Sequence, residues 1–400
     1  MSHVRTALVI GAGIAGPVAA MALRRAGIDA AVHEAHPGPT EGIGGSLAVA
    51  PNGLAALGTI GAEHAVLDTG QPITRQAMAL GGARPVPLPG LAGLPPLHLV
   101  HRGDLHRALH GLAGDRGIPI TYGSRLTGVE QDGSGVTARF ADGSSATADV
   151  LVGADGVHSA VRRAIDPDAP GPGYTGLLGF EGVADHDVPG GRPDTMTFSF
   201  GARAYYLYWP LPGGGTGWGA NLPHRQPLSL TEARAEPAGQ WLETLRATYA
   251  DDDPGAELAR RTPADRLQAV GALHIMPSVP HWYRERMVLV GDAAHAPSNS
   301  SGQGASLAVE SAVELARCLR DLPDVPAAFA AYERLRRARV EKVAARAARI
   351  NQVKAPGPVA KAFMRAMMPL MMRTAMNPER TLGPEQRFRI DFDAPVHAPR

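Results

Sequence analysis

An α/β architecture is predicted, in which a parallel sheet is split in sequence around an inserted, largely antiparallel sheet and is followed by C-terminal helices. Three observations carry this expectation. The apolar run Thr6-Ala-Leu-Val-Ile10 leads directly into a glycine turn, and a helical pattern and a second short strand follow it. A fully apolar run returns far downstream at Met287-Val-Leu-Val290. Between the two, strands rich in aromatic residues replace the apolar texture. Near-continuous apolar strands suit a central parallel sheet covered on both faces, and a strand-helix-strand unit begins such a sheet.

Taken in order, residues 14 to 26 form a helix with Ala, Val, Met and Leu on one side, Gly27 ends it, and Ala30 to His33 form the second strand. Residues 51 to 69 read as helical, as do Gly103 to Leu112. Residues 118–152 alternate as strands, with tight turns at Asp132-Gly133 and Asp142-Gly143. Strands follow at Thr195–Phe200, Tyr205–Trp209 and Gly217–Asn221, then a helical stretch from Leu230 to Tyr249 broken at Pro237. A long helix starts near Gly304. The division predicted is a first domain of residues 1–69, 101–173 and 277–350, a second of 70–100 and 174–276, and a C-terminal helix and tail over 351–400.

The chain has 400 residues, 39 basic against 38 acidic, and a net charge of +1, so no positive excess points to nucleic acid. The seven Lys or Arg residues between Arg334 and Arg349 are interleaved with Glu341 and alanines at helical spacing, which predicts a solvated helix face. The one cysteine, Cys318, sits in an apolar helical pattern and reads as a buried, inert thiol; a reducing compartment and a cytoplasmic location are expected. Neither a signal peptide nor a membrane span is expected; charges interrupt the nearest apolar stretch, the methionine-rich Val359 to Met376. That helix would cover a pocket, join a dimer interface or pack on the body, and either a monomer or a homodimer is expected.

The chemistry is written first in Gly11-Ala-Gly13-Ile-Ala-Gly16. Gly11 permits a sharp turn, Gly13 a close approach of backbone to a pyrophosphate, and Gly16 tight packing of helix on strand. Glu34 ends the second strand, where a carboxylate can accept from ribose hydroxyls. Together these predict dinucleotide binding. Two more strand-end turns follow: Leu151-Val-Gly-Ala-Asp155-Gly156, opening a helix, and Met287-Val-Leu-Val-Gly291-Asp292, with Pro297, Gly302 and Gly304 before another helix.

In this order and spacing, the three elements resemble the para-hydroxybenzoate-hydroxylase-type (group A) flavoprotein monooxygenases, over about residues 5–345. The resemblance implies a Rossmann-like FAD-binding domain, split in sequence, with an inserted β-sheet substrate domain. It implies that the glycine turn takes the ADP half of FAD, that Asp155 and Gly156 touch the flavin and pyridine-nucleotide regions, and that Gly291 and Asp292 hold the ribityl chain. Pro297 would fix the loop beside the ring, Gly302 and Gly304 would offer backbone N–H groups to it, and Arg102 would reach the cofactor from a helix start. The activity implied is hydroxylation or epoxidation of a small aromatic or polyketide-like substrate, of the kind found in secondary metabolism, with NAD(P)H and O2, through a flavin hydroperoxide. Three departures bear on the substrate more than on FAD: Asn299 stands where a second proline is common, Ser306 where many relatives carry Asn, and Ser311 after Glu310 where an acid is usual.

No catalytic base is named: His98, His101, His224, His274 and His281 qualify by residue type alone, and His295 supports its loop. No metal site is expected. Tyr206 and Tyr208 share one side of a strand, opposite Tyr205 and Trp209, and are the candidate substrate-lining pair, with sheet packing as the other outcome. The rival functions are an NAD-dependent dehydrogenase, an FAD-dependent reductase of the same fold, and a flavin-binding sequestration protein. The Trp-x-Trp-x-Ile-Pro pattern of halogenases is missing at Trp209-Pro210 and Trp218-Gly219.

Overall fold

The computed structural model describes residues 4–39, 44–80, 83–298, 301–352 and 377–397. Asn299 and the methionine-rich segment up to Met376 lie outside these residues.

The first sheet has six strands. Its order is β18 (Tyr283–Arg284), β19 (Met287–Leu289), β12 (Val150–Gly153), β1 (Thr6–Ile10), β2 (Asp29–His33) and β8 (Ile120–Thr121), all parallel except the edge pair β18/β19. The strand order turns back at β1, and in such a sheet the ligand crevice opens beyond the carboxyl ends at that point. Helix α1 (Ala15–Arg25), the predicted first helix, packs on α9 (Gly304–Asp321) against this sheet. Helix α10 (Val325–Gln352) packs on α9 in turn. Cys318 of α9 is fully buried, and burial pushes its thiol pKa up. The helical stretch after residue 50 divides into α2 (Pro51–Thr59) and α3 (His64–Leu67). Helix α4 (Arg102–Asp115) begins at the residue expected to reach a cofactor.

A hairpin sheet of β9 (Leu126–Gln131), β10 (Val136–Phe140) and β11 (Ser145–Ala148) precedes β12. Another three-stranded sheet joins β3 (Ser46–Val49), β7 (Leu97–His101) and β4 (Gln71–Ile73). The large sheet has seven strands. They run in the order β17 (Leu267–Ile275), β13 (Gly173–Ala184), β16 (Thr216–Pro223), β15 (Tyr205–Pro210), β14 (Thr195–Phe200), β5 (Arg75–Leu80) and β6 (Val86–Leu88), antiparallel except for β14 with β5. Within residues 70–100, β5 and β6 thus belong to the large sheet, while β4 and β7 pair with β3.

The two faces of the large sheet differ. Its outer face packs Phe180, Tyr206, Tyr208 and Trp218 against Trp241, Leu245, Tyr249 and Leu258. Those last residues come from α7 (Ala238–Tyr249) and α8 (Gly255–Arg261), which follow α6 (Leu230–Ala235). The inner face packs Met196 and Trp209 on Ile73 and Leu99 of the β3/β7/β4 sheet. Among the described residues, no helix is long and apolar enough to cross a membrane.

Candidate active site

Register, rather than proximity in sequence, assembles the site. Ile10 pairs with His33 on one side and Gly153 on the other, and Gly153 pairs with Leu289. The ladder runs one step further through Gly11 N–H to His33 O, Ala154 N–H to Ile10 O and Val290 N–H to Gly153 O. Four strands therefore end level, and Glu34, Gly11, Asp155 and Asp292 follow along one edge of the sheet.

At the first turn, Gly11 has φ +98°, and a Cβ there would lie 2.6 Å from Ala154 O. A Cβ at Gly16 would lie 1.9 Å from Gly11 O, so only glycine lets α1 pack this closely on the turn. Gly13 is different: a Cβ there would meet nothing within 4 Å. The first turn of α1 has neither a capping side chain nor an acidic residue, which leaves its N–H groups and partial positive charge available to an anion. Glu34 accepts from Ala12 N at 2.7 Å and from His36 N at 2.8 Å, so it braces the glycine turn with one lone pair remaining on each oxygen. His110 donates through Nε2 to Ala12 O at 2.6 Å, and Tyr122 donates its hydroxyl to Nδ1 at 2.8 Å. Sequence reasoning missed this histidine.

The second turn is filled by its own helix. The Asp155 carboxylate accepts from Ser159 Oγ, from Ala160 N at 2.7 Å and from Val161 N at 3.1 Å. Ser159 Oγ in turn accepts from Arg162 N and caps α5 (Ala160–Ile165). Burial pushes the Asp155 pKa up, against these hydrogen bonds. Gly156 takes φ +76° with open space where a Cβ would stand. Arg162, only 2% exposed, donates to Val157 O at 2.8 Å and to Ala293 O at 3.0 Å, linking the second turn to the third.

The third turn carries the free acid. Gly291 has φ +59°, and a Cβ there would sit 3.1 Å from both Ala15 Cβ and Ala308 Cβ, so α1 and α9 close on it. Asp292 is exposed and accepts no hydrogen bond among the described residues. The surrounding protein still pushes its pKa up, and the charge of Arg102 opposes that rise. Protein thus encloses the carboxylate on most sides while one side stays open. Arg102 is exposed at the start of α4, its side chain running past Gly44.

Beyond the third turn, Pro297 is buried, Gly302 takes φ +59°, and Gly304 opens α9, whose first turn lacks an acidic residue and a side-chain cap. Beneath that helix end lies a buried polar cluster. Glu310 and Arg336 are both fully buried and 2.7 Å apart. Arg339 adds two hydrogen bonds to Glu310, and Asn52 donates both to Glu310 at 2.7 Å and to Gln303 at 2.9 Å. His295 bonds Ser311 Oγ through Nε2 at 2.9 Å, in keeping with loop support.

Two expectations need correction. Tyr206 and Tyr208 do not face the crevice. Tyr206 is fully buried between Tyr208 and Tyr249, with its hydroxyl accepting from Gly255 N, because α7 and α8 cover that side of β15. The basic run on α10 is likewise not one solvated face. Arg334, Lys342 and Arg349 are exposed, but Arg336 and Arg339 turn into Glu310, and Arg346 pairs with Glu385 at 2.6 Å.

Burial and then the charge of Arg336 lower the His295 pKa from 6.5 to about 3. Below pH 6.5 the unfolded chain takes up a proton that the folded one refuses, so this residue's contribution to stability falls as pH drops. Between pH 7 and pH 5 it should cost about 2 kcal/mol. His295→Gln should remove about that much of the pH dependence in denaturant unfolding measured at the two values; an unchanged difference between pH 7 and pH 5 would refute the assignment.

Residues 4–347 match a protein family described as FAD binding domain. The aurachin C monooxygenase/isomerase of Stigmatella aurantiaca is 32% identical, over 78% of this chain and 80% of that one. The 3-amino-4-hydroxybenzoate 2-monooxygenase of Streptomyces cremeus is 32% identical over 78% and 77%. Among solved structures, Klebsiella pneumoniae HpxO complexed with FAD and uric acid superposes with a TM-score of 0.82 at 27% identity, covering 97% of each chain. The chain belongs to this FAD-binding family, and it is an FAD-dependent monooxygenase with NAD(P)H as co-substrate.

Proposed function

We propose that the protein is an aromatic hydroxylase whose FAD lies along the row of strand ends, with the substrate between the flavin and the inner face of the seven-stranded sheet. The pyrophosphate would take the free N–H groups at the start of α1 beside Gly13, and Glu34 the adenosine ribose. Arg102 and Asp292 would take the ribityl and phosphate region, and Gly302 and Gly304 the ring edge. Asp155 would serve by holding its turn, with Gly156 giving the backbone room. Residues 1–69, 101–173 and 277–350 would then hold the cofactor, and 70–100 with 174–276 the substrate. The observation that carries this reading is Asp292, a carboxylate at a strand end with no donor among the described residues, open on one side and level with a glycine turn that has room for a ligand.

When bound, FAD supplies the transfer of two electrons from NAD(P)H and the activation of O2. One oxygen atom enters an aromatic carbon and the other leaves as water, the nicotinamide being oxidised. The chain's part is to orient the ring and to keep water away from it; the apolar packing of Met196, Phe198, Leu207 and Trp209 against Ile73 and Leu99 supports the second role.

The direct test is a visible spectrum of purified protein. It should be followed by NAD(P)H oxidation assays across phenols, quinones and indoles under labelled O2, with one labelled oxygen expected in the product. Asp292→Ala should yield largely FAD-free protein, weakening FAD about tenfold or more through loss of a charged hydrogen-bonding group. Full flavin occupancy in that variant would refute the placement. Two glycines separate binding from folding. Gly13→Val should leave the melting temperature of flavin-free protein unchanged yet abolish FAD binding. Gly16→Val should destabilise the fold itself by about 1–3 kcal/mol.

A further inference from the structure

Strands β13 to β16 hold one charged residue among them, Glu181. Alternation puts Glu181 on the face opposite Phe180, the inner face of the sheet. It pairs across the strands with Gly219, where a Cβ would meet nothing closer than 3.7 Å, so its neighbour in the sheet leaves the floor beside it low. The residue is half-buried, and burial of its carboxyl group pushes the pKa up against the Ser46 hydrogen bonds and the charge of His101. The group is steadied from one side, by the N–H of Ser46 and by Ser46 Oγ at 2.6 Å. One acceptor site remains on each oxygen. Ala48 follows Ser46 on the same side of β3, and its Cβ lies 3.9 Å from where a Cβ would stand on Gly302. Glu181, Ser46, Ala48 and the Gly302 turn therefore lie in sequence along one wall.

We propose that Glu181 is a specificity-determining residue: its carboxylate selects aromatic substrates that present a hydrogen-bond donor, a phenolic O–H or a ring N–H, and rejects aryl carboxylates. This rests on the monooxygenase reading above and names the substrate class of that same site. A carboxylate with acceptor sites to spare gains from a donor brought within reach, whereas a second carboxylate brought beside it is repelled. Strands β13 to β16 offer no lysine or arginine to compensate a substrate's negative charge.

The test is titration of the yellow holoenzyme with matched pairs, phenol against 4-hydroxybenzoate and 4-hydroxyquinoline against its 2-carboxylate, read by perturbation of the flavin spectrum. The neutral member of each pair should bind at least about tenfold tighter, the scale of one charged hydrogen bond. Glu181→Gln keeps an acceptor for Ser46, so it should melt near the parent temperature while the ratio within each pair falls to about threefold or less. A carboxylate member that binds as tightly as its partner, a ratio unchanged by Glu181→Gln, or a holoenzyme that none of the four compounds perturbs would overturn the proposal. A colourless protein that takes up no FAD would instead overturn the flavin reading beneath it.

Discussion

One buried carboxylate fixes the geometry on which the crevice depends. Glu310 is fully buried on α9, where an ionised acid is tolerated only with enough donors to replace water. Burial alone would push its pKa up; Arg336 and Arg339 from α10, with Asn52 from α2, hold it below the usual carboxylate value. The lock joins three helices, and Asn52 carries it to Gln303, the residue before α9. Arg339 also donates to Pro384 O and Glu385 O, which brings the 377–397 segment onto the same cluster. The start of α9, with its uncapped N–H groups, is thus set by a charge six residues further into the helix.

Rigidity passes from there to the strand ends. His295 N–H donates to Gly291 O, and its ring reaches Ser311 beside the Glu310 cluster. Arg162 ties the turn at Val157 to Ala293. The first turn is braced by Glu34 and His110 on Ala12. Each turn is therefore held by a buried or half-buried polar group as well as by its strand. A site preorganised in this way loses little order when a ligand enters.

The sheet and its turns were legible because their information is local. Glycine spacing, an apolar run and an acid at the strand end fall within a few residues of one another, and parallel register aligns them. The partners of Glu310 were not legible, because Arg336 and Arg339 arrive from another helix, and a basic helical run looks the same whether it faces water or a buried acid. Tyr206 and Tyr208 failed for a related reason. Alternation separates two sets of side chains on β15, but the packing of α7 and α8 decides which set is covered, and that packing is not written in the strand. Arg162 lies in the helix that the second turn opens, yet its reach to Ala293 depends on the β12/β19 pairing.

Asp155 and Asp292 show how the same residue type at the same kind of turn divides labour. Both follow a buried parallel strand, and protein pushes both pKa values up. The carboxylate of Asp155 is spent on the N-terminus of α5, whose Ser159 adds a second cap, so that helix end has little left for an anion. The helices that start near Gly13 and Gly304 have no such cap, and among the described residues Asp292 has no such donors. A binding site is defined by what folding leaves unsatisfied. Here those groups are two helix N-termini and one carboxylate along one edge of the sheet, which is the complement of a long ligand bearing phosphates and hydroxyls.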